Sequence, residues 1–341
     1  MASSLSPSRA TLKAPLSVCL WIADACNLAC RYCYAAPFSG RFMDTVRLLE
    51  LVDELLELQV FGIVLAGGEP FLHPAIFDVI RKCTDRGVQL GVLSNGVYLD
   101  APRRQKLVEI VTGKRFILQI SLDSADPALN DHSRGCGATV LENLHCLCST
   151  GIQLQLACVL TRQNISSAHL LIPAFYPRIK RFHFLNVQRT SQALSHDDVL
   201  LAEGQAKEFW LHLNEYAKQY PPDLFLPSLR IMMRGFGIEN SREEHQLNRS
   251  ATFSCVSCAA GLTHVNVDAN FNVLGCDIAK DFTSMGNVRD VTFESVWHSQ
   301  RAQEVRDAPF PACYRNQDPD GVSLEMFLRD EYVCARALVS D

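Results

Sequence analysis

The stretch "LSVCLWIADACNLACRYC", residues 16–33, passes directly from an apolar run into three closely spaced cysteines. Its first half has the apolar and β-branched residues typical of a buried strand. Five similar runs follow at intervals of about 25 to 30 residues, the length of a strand with a crossover helix. These runs are "GIVLAGG" (62–68), "VQLGVLSNG" (88–96), "RFILQISLD" (115–123), "IQLQLACVLT" (152–161) and "RFHFLNV" (181–187). The repetition predicts parallel strands joined by helices.

Helical patterns separate these strands, as in "MDTVRLLELVDELLELQV", residues 43–60, with apolar residues at i, i+3, i+4 and i+7. Six strand-helix units predict an α/β fold, either a doubly wound sheet or a partly closed barrel. In both folds the ligand site lies in the loops at the carboxyl ends of the strands. The cysteines and the segments "GGEP", "SNG", "SLD" and "TRQN" all follow strands, so they are predicted to meet at this edge.

The composition changes after about residue 220. A proline-rich break, "PPDLFLPS" (221–228), precedes a polar stretch, "NSREEHQLNRS" (240–250). A hairpin pattern, "HVNVDANFNVLGC" (264–276), and an amphipathic helix, "FESVWHSQRAQEVR" (293–306), come next. We therefore expect a flexible N-terminal tail, a main α/β domain and a small α+β domain, at residues 1–15, 16–235 and 236–341.

The composition excludes several classes of protein. Of 341 residues, 48% are hydrophobic and 20% charged, and no apolar run approaches the roughly 20 residues of a bilayer span. The net charge of -5 argues against nucleic acid as a partner, because phosphate binding needs a basic surface. The first residues lack the apolar core of a signal peptide, so a cytoplasmic location and reduced thiols are predicted for the 14 cysteines.

Cys26, Cys30 and Cys33 have the spacing C-x3-C-x2-C. Thiolates are soft ligands for zinc, copper(I) and iron-sulfur clusters. A structural zinc site needs four ligands, and no fourth cysteine or histidine lies nearby in the sequence. Three thiolates can instead hold a 4Fe-4S cluster and leave one iron open to bind another ligand.

The cysteine motif, with Tyr32 before its last cysteine, and the "GGEP" segment after the second strand resemble the radical S-adenosylmethionine (SAM) superfamily. The resemblance covers roughly residues 16 to 220 and implies a partial (β/α)6 TIM-like barrel. It implies that Gly67, Gly68 and Glu69 hold the methionine amino group of SAM at the open iron. The reduced cluster would then cleave SAM to a 5'-deoxyadenosyl radical, which abstracts hydrogen from a substrate.

Further residues of the SAM site are carried over from the same resemblance. Taken singly, each could instead cap a helix or settle a turn. The positions that match contacts to the ribose, the methionine portion or the substrate are Ser94, Asn95, Ser121, Asp123 and Arg134.

Five cysteines beyond residue 254 form a second group: Cys255, Cys258, Cys276, Cys313 and Cys334. Their spacing alone also fits zinc. Their surroundings resemble the SPASM and twitch domains of radical SAM enzymes, which hold auxiliary 4Fe-4S clusters. We expect one auxiliary cluster, on the first three of these cysteines and either Cys334 or Cys313. Phe271 departs from the family, which usually has glycine in this hairpin turn.

Asp277 directly follows Cys276. In sulfatase-maturing relatives a Cys-Asp pair at this place takes a proton from the substrate, so Asp277 is a candidate catalytic carboxylate. A surface aspartate at a strand end is the alternative.

The resemblance implies an oxidoreductase whose substrate is a peptide or protein side chain, with an electron donor such as flavodoxin or ferredoxin. Only about fifteen residues precede the first strand, so either a separate protein recognises a leader peptide or the substrate has no leader. One alternative is an enzyme that dehydrogenates or rearranges a small molecule such as a sugar, cyclitol or cofactor precursor. Another is a non-catalytic metal-binding scaffold.

Overall fold

The computed structural model describes residues 12–187, 193, 195, 196, 198–202, 204–221, 223, 224, 261–276 and 283–307. Its strands are β1 (Ser17–Asp24), β2 (Arg41–Phe42), β3 (Gly62–Gly67), β4 (Gln89–Ser94), β5 (Phe116–Ser121), β6 (Gln153–Leu160), β7 (Arg181–Asn186), β8 (His264–Val267), β9 (Asn272–Leu274) and β10 (Ser284–Asn287). The helices are α1 (Thr45–Glu57), α2 (Ile76–Asp85), α3 (Ala101–Val111), α4 (Pro127–Ser133), α5 (Gly137–Leu147), α6 (Leu171–Phe175), α7 (Gln205–Ala217), α8 (Phe293–Trp297) and α9 (Gln300–Asp307).

One sheet contains these strands in the order β10-β9-β8-β1-β3-β4-β5-β6-β7, with β2 paired to β1. The six strands β1, β3, β4, β5, β6 and β7 are parallel neighbours, as the repeated strand-helix pattern predicts. Together with the alternating helices they form the α/β partial barrel. The C-terminal hairpin extends the same sheet, because β8 pairs in parallel with β1.

The two faces of the barrel strands differ in their packing. Leu118, Leu156 and Phe184 are buried in the main core, and the ring of Phe184 lies 5.5 Å from that of Phe209 on α7. This face therefore packs against the helices. Successive strand residues point to opposite faces, so Gln119 and His183 lie on the concave face. The concave faces of the strands line the interior of the barrel.

The C-terminal segment packs on α1 and on the start of the described chain. Glu54 on α1 accepts hydrogen bonds from the Phe293 backbone and from Arg47. Trp297 is 1% exposed, and its indole N–H donates to the carbonyl of Leu12. Residues 1–11 of the predicted tail lie outside the described residues, whereas Leu12 is held by this contact.

The predicted single helix at 293–306 is two helices. Residues 298 and 299 separate α8 from α9, and the Ser299 hydroxyl accepts a hydrogen bond from the Ala302 backbone at 3.1 Å. A serine at this place starts a new helix because its hydroxyl satisfies a first-turn N–H. The break turns α9 so that the Arg306 guanidinium lies 4.0 Å from the centre of the Trp297 ring.

None of the helices within the described ranges could cross a membrane, because none is both long and apolar enough.

Phe271 occupies the turn between β8 and β9 in a left-handed conformation, with φ of 69°. A non-glycine residue in this region costs about 1–2 kcal/mol. The side chain compensates, because it is completely buried and the Arg289 guanidinium lies 5.1 Å from the ring centre. Phenylalanine in place of the family's glycine therefore costs conformational energy in the backbone but adds a buried side chain to the core.

We expect Phe271→Gly to lower the free energy of unfolding by about 1–4 kcal/mol. Removing a buried phenylalanine costs about 3–5 kcal/mol. Glycine regains about 1–2 kcal/mol of this, because it adopts the left-handed backbone without steric strain. Chemical denaturation under anaerobic conditions measures the change, with Val291→Ala, which alters a side chain that is 49% exposed, as the control. A glycine variant at least as stable as the parent would show that burial of the ring contributes less than the turn costs.

Candidate metal centre and cofactor site

The cysteine loop, residues 25–40, leaves the carboxyl end of β1 and returns through β2. Ala23 and Asp24 pair with Phe42 and Arg41, so the two ends of the loop are hydrogen-bonded to each other. The Gly40 N–H donates to the Asp24 carbonyl at 2.8 Å. The loop that carries the three thiols is thus closed at its base by a short antiparallel pair.

Cys26, Cys30 and Cys33 are all partly buried and lie close enough to influence one another electrostatically. Burial, opposed by the charge of Arg134 and assisted by the neighbouring thiols and Asp123, raises the pKa of the Cys30 thiol to about 11. Burial also raises the pKa of Cys26. These thiols therefore stay protonated unless a cation balances the negative charge of the thiolate. The iron ions of a cluster would supply the positive charge.

Two donors point at the sulfur of Cys26. The backbone N–H of Leu28 lies 3.4 Å from Sγ, and the Asn95 side-chain amide lies 3.8 Å from it. Hydrogen bonds to cysteine sulfur stabilise thiolates and adjust the potential of iron-sulfur clusters. In the described part of the chain, no three His, Cys, Asp or Glu side chains converge on a single metal ion. The donor set fits a cluster of several irons.

The Gly67-Gly68 pair lies directly against the backbone that leads into the cysteine loop. A Cβ at Gly68 would lie 2.2 Å from the Ala25 carbonyl oxygen and 3.0 Å from Cβ of Cys26. A Cβ at Gly67 would lie 2.2 Å from the Ala23 carbonyl oxygen, and its φ is 128°. Only glycine allows this approach.

Two backbone hydrogen bonds also join the Gly-Gly-Glu segment to the start of the cysteine loop. The N–H of Gly68 donates to the Ala23 carbonyl at 2.8 Å, and that of Glu69 donates to the Ala25 carbonyl at 2.9 Å. The two segments predicted to bind one ligand therefore form a single backbone unit.

Glu69 is completely buried, and three donors hold its carboxylate. Oε1 accepts from the Phe71 N–H and the Ser94 hydroxyl, and Oε2 accepts from the Asn95 N–H at 2.7 Å. Burial raises the pKa of Glu69 to about 7, although these hydrogen bonds oppose the shift. A bound ammonium group would reverse the effect of burial, as expected of an acceptor for the methionine amino group.

The sequence predicts that Ser94 and Asn95 contact SAM. In the structure they contact other residues of the proposed site. Ser94 and the Asn95 backbone bind Glu69, while the Asn95 amide donates to Asn27 in the cysteine loop at 2.8 Å. Both residues therefore position the groups around them. Their direct contact with SAM stays a prediction.

Asp123, just beyond β5, is completely buried. It accepts hydrogen bonds from the Tyr32 hydroxyl, from Ser133 at 2.7 Å and from the Val159 N–H at 3.0 Å. Asp123 therefore ties the cysteine loop to α4 and β6. Tyr32 acts as one of its anchors, and its hydroxyl group points away from solvent.

Arg134 lies beside this network, and its side chain is 10% exposed. Its guanidinium lies 5.3 Å from the centre of the Tyr32 ring. Nε is 3.0 Å from Oδ1 of Asp123 but is not directed to make a hydrogen bond with any described residue. The two observations agree on an ion pair without an aligned hydrogen bond. Arg134 therefore places positive charge next to Cys30 and pairs with Asp123.

Ser121 ends β5, beside Ala157 in the register of the sheet, and is half-buried. This position is on the concave face, at the carboxyl edge of the sheet. Its role toward SAM stays a prediction.

The second cysteine group is described only at Cys276. This residue follows β9, and its N–H and carbonyl both bond to the Thr283 hydroxyl, at 3.1 and 2.9 Å. The remaining predicted residues, Cys255, Cys258, Asp277, Cys313 and Cys334, lie outside the described residues. The auxiliary site stays a prediction.

A polar network on the outer side of the cysteine loop has no counterpart among the sequence predictions. Arg31 donates to Asp198 at 2.7 Å and contacts His132 at the same distance, while Gln163 donates to Asp198 at 3.0 Å. Hydrogen bonds from His132 and Gln163 and the charge of Arg31 lower the pKa of Asp198 to about 2. No motif signals these contacts, because they join residues distant in sequence.

We predict that Gly68→Ala prevents stable loading of the first cluster. The added Cβ would overlap the Ala25 carbonyl and push the backbone of Cys26 away from its neighbours. The measurement is iron and sulfide per chain after anaerobic reconstitution. Gly62→Ala is the matched control, because a Cβ there has its nearest neighbour at 3.6 Å. Equal loading of the two variants would contradict the steric account.

We predict that Glu69 gives the SAM-free protein a stability that falls as pH rises from about 5 to about 7. Its pKa is raised on folding, so the folded state binds the proton more tightly than the unfolded chain does in this range. The contribution reaches at most about 1.4 kcal/mol per pH unit.

Anaerobic thermal unfolding between pH 5 and 7.5 measures this slope. Glu69→Gln should remove it, whereas Glu215→Gln, at an exposed position, should retain it. The slope is the informative quantity, because the glutamine also loses one acceptor for the Asn95 N–H. Identical slopes in the parent and Glu69→Gln would rule out the raised pKa.

Two family profiles match the chain in the order found above. Residues 22–171 match the radical SAM superfamily, and residues 258–317 match SPASM, an iron-sulfur cluster-binding domain. Mycofactocin maturase MftC of Mycolicibacterium smegmatis is 32% identical over 317 residues, covering 87% of this chain and 74% of that protein. Fe-coproporphyrin III synthase of Methanosarcina barkeri is 25% identical and covers 80% of this chain and 71% of that protein.

A solved structure shares the fold. Streptococcus suis SuiB bound to precursor peptide SuiA has a TM-score of 0.69 at 16% identity, covering 87% of this chain and 68% of that chain. The 32% identity to MftC spans most of both proteins. The first profile covers Cys26, Cys30 and Cys33, and the second covers Cys258, Cys276 and Cys313. The chain therefore belongs to the radical SAM superfamily, among the members with a C-terminal SPASM domain.

Proposed function

We propose that this radical SAM enzyme is an oxidoreductase that modifies a peptide or protein side chain. The observation that carries the proposal is the backbone contact that joins the cysteine loop to Gly67, Gly68 and Glu69. It supports the proposal because the cysteines that would hold an open cluster lie next to the carboxylate that would accept an ammonium group. Two of the similar proteins support the substrate class by their names: MftC is a maturase, and SuiB is bound to a precursor peptide.

The family's cofactors are a 4Fe-4S cluster and SAM, with auxiliary iron-sulfur clusters in the SPASM domain. When bound, the reduced cluster and SAM supply a carbon-centred radical that takes hydrogen from the substrate. Cys26, Cys30 and Cys33 would hold the first cluster. Gly68 and Glu69 would then present backbone and carboxylate to the amino group of SAM.

The surrounding residues would orient SAM. Ser94 and Asn95 keep the Glu69 carboxylate in one position, so its oxygens need no rearrangement when the ammonium group arrives. The guanidinium charge of Arg134, next to Cys30, suits the carboxylate of SAM. Tyr32, Gly67, Ser121 and Asp123 complete the proposed site.

The C-terminal cysteines would hold one auxiliary cluster, on Cys255, Cys258, Cys276 and one of Cys313 and Cys334. Asp277 would take the proton that the substrate loses. When bound, the auxiliary cluster would supply an electron acceptor. An electron donor such as flavodoxin or ferredoxin would reduce the first cluster. If the substrate carries a leader, a separate protein would bind it.

Small-molecule chemistry is the second candidate, because Fe-coproporphyrin III synthase is also similar to this chain. The test is to co-express the enzyme anaerobically with any short peptide encoded beside its gene and to measure the peptide's mass. A loss of hydrogen or a new crosslink supports the proposal. An unmodified peptide, with turnover of a sugar or porphyrin precursor instead, favours the second candidate.

We predict that the two cysteine groups have different functions, which substitution can distinguish. Alanine at Cys26, Cys30 or Cys33 should abolish formation of 5'-deoxyadenosine, because the cluster that binds SAM is lost. Alanine at Cys255, Cys258 or Cys276 should spare SAM cleavage and abolish modification of the peptide.

Chromatography of 5'-deoxyadenosine and mass spectrometry of the peptide measure the two activities. Cys146→Ser, at an exposed position on α5, is the control and should retain both. Full peptide modification by a variant of the second group would remove the case for an auxiliary cluster. About eight irons per chain are expected of the parent, whereas zinc without sulfide would indicate a scaffold.

A further inference from the structure

His183, in the middle of β7, is buried in the barrel without a full set of hydrogen-bond partners. The residue is 7% exposed, and its Nε2 makes no hydrogen bond within the described part of the chain. A buried imidazole nitrogen without a partner is costly, and such groups in enzymes commonly await a ligand or water. His183 lies on the concave face, because its neighbours Phe182 and Phe184 belong to the core beneath the helices.

Two glutamines share this face with His183. The register places Gln119 of β5 beside Gln155 of β6, and Ala157, next to Gln155 on the same face, beside His183. Gln155 is 6% exposed, yet no hydrogen bond involves either glutamine side chain among the described residues. We call Gln119, Gln155 and His183 the polar wall.

We propose that the polar wall binds the backbone of the peptide substrate, with His183 Nε2 hydrogen-bonding to one of its amide groups. The inference rests on the peptide substrate proposed above. Amide side chains and imidazole match a peptide backbone, because each can meet both an N–H and a carbonyl. A ligand here would satisfy polar groups that have no hydrogen-bond partner among the described residues.

The polar wall lies at a level along the strands that suits a substrate next to the proposed SAM site. Val159 pairs with Leu185, the next residue above His183 on the same face. Val159 belongs to the same apolar cluster as Tyr32 and Cys30 of the cysteine loop. Alternate residues of a strand are about 6.6 Å apart, so His183 lies one layer below the level of that loop. A bound peptide at this level would face the first cluster and its SAM.

The opposite side of the barrel interior carries an apolar cluster beside the buried Asn266 of β8. Cys19, Val64 and Ala66 form a small cluster with Trp21 and Leu93 packed against it. A ligand between the two sides needs polar groups along one edge and an apolar or aromatic group along the other. A peptide segment has this character, with its backbone toward the polar wall and a side chain toward Trp21.

His183 is neutral at physiological pH. Burial, with a smaller effect of the Arg181 charge, lowers the pKa of its imidazole to about 4. A neutral imidazole can either donate or accept at Nε2, so the wall can meet an N–H or a carbonyl without a change of charge. This property favours a role for His183 in positioning the substrate.

The test is equilibrium dialysis of the cluster-loaded enzyme with SAM and without reductant. The probe is a mixture of N-acetylated, C-amidated tripeptides with an aliphatic or aromatic central residue, and mass spectrometry measures the bound fraction. His183→Phe and Gln155→Leu should each weaken binding about threefold to tenfold, the effect of one hydrogen bond. His183→Gln should restore most of the affinity, because it keeps a donor and an acceptor.

His145→Phe is the matched control, since His145 is exposed on α5 and bonds to its own helix. Affinity for SAM should be unchanged in every variant. If His183→Phe fails to load iron, Gln119→Leu replaces it. Parent-like peptide binding by His183→Phe and Gln155→Leu, or by the replacement, would overturn the inference and leave the proposed function intact. A parent that binds no tripeptide but does bind a hexose or inositol would overturn both.

Discussion

The close approach of Gly67 and Gly68 to the backbone of residues 23–26 is the contact on which the site depends. Any side chain at either glycine would overlap a carbonyl oxygen of the segment that enters the cysteine loop. The contact fixes the start of the loop and, through hydrogen bonds from Gly68 and Glu69, fixes the carboxylate as well. Two motifs more than thirty residues apart in the sequence are therefore held in contact, as the proposed SAM site requires.

Buried carboxylates and partly buried thiols surround this contact, and each carboxylate has partners that make its burial tolerable. Glu69 has three donors, and Asp123 has Tyr32, Ser133, Val159 and the ion pair with Arg134. The thiols of Cys26 and Cys30 are shifted toward their neutral forms by burial. The site is thus arranged for ligands that bring positive charge, namely the iron of a cluster and the ammonium of SAM. Binding of these ligands and stability of the site are linked.

Much of this arrangement could be predicted from the sequence. Periodic apolar runs encode parallel strands, and motifs that follow strands must meet at one edge of the sheet. Contacts among residues distant in sequence could not be predicted this way. Ser94 and Asn95 were assigned to SAM, but whether they also support Glu69 depends on the register of β4 beside β3 and on the turn that follows. The pairing of β8 with β1 depends on which sheet edge is exposed, and the link from Arg31 to Asp198 has no sequence pattern.

The central claim is that the three cysteines and the Gly-Gly-Glu segment bind one SAM molecule at one cluster. Electron-nuclear double resonance of the reduced enzyme, with SAM labelled with ¹⁵N at the methionine amino group, tests this claim most directly. The account predicts a ¹⁵N coupling to the cluster spin, which shows that the amino group lies on the open iron. A reduced 4Fe-4S cluster whose spectrum shows no ¹⁵N coupling under saturating SAM would contradict it.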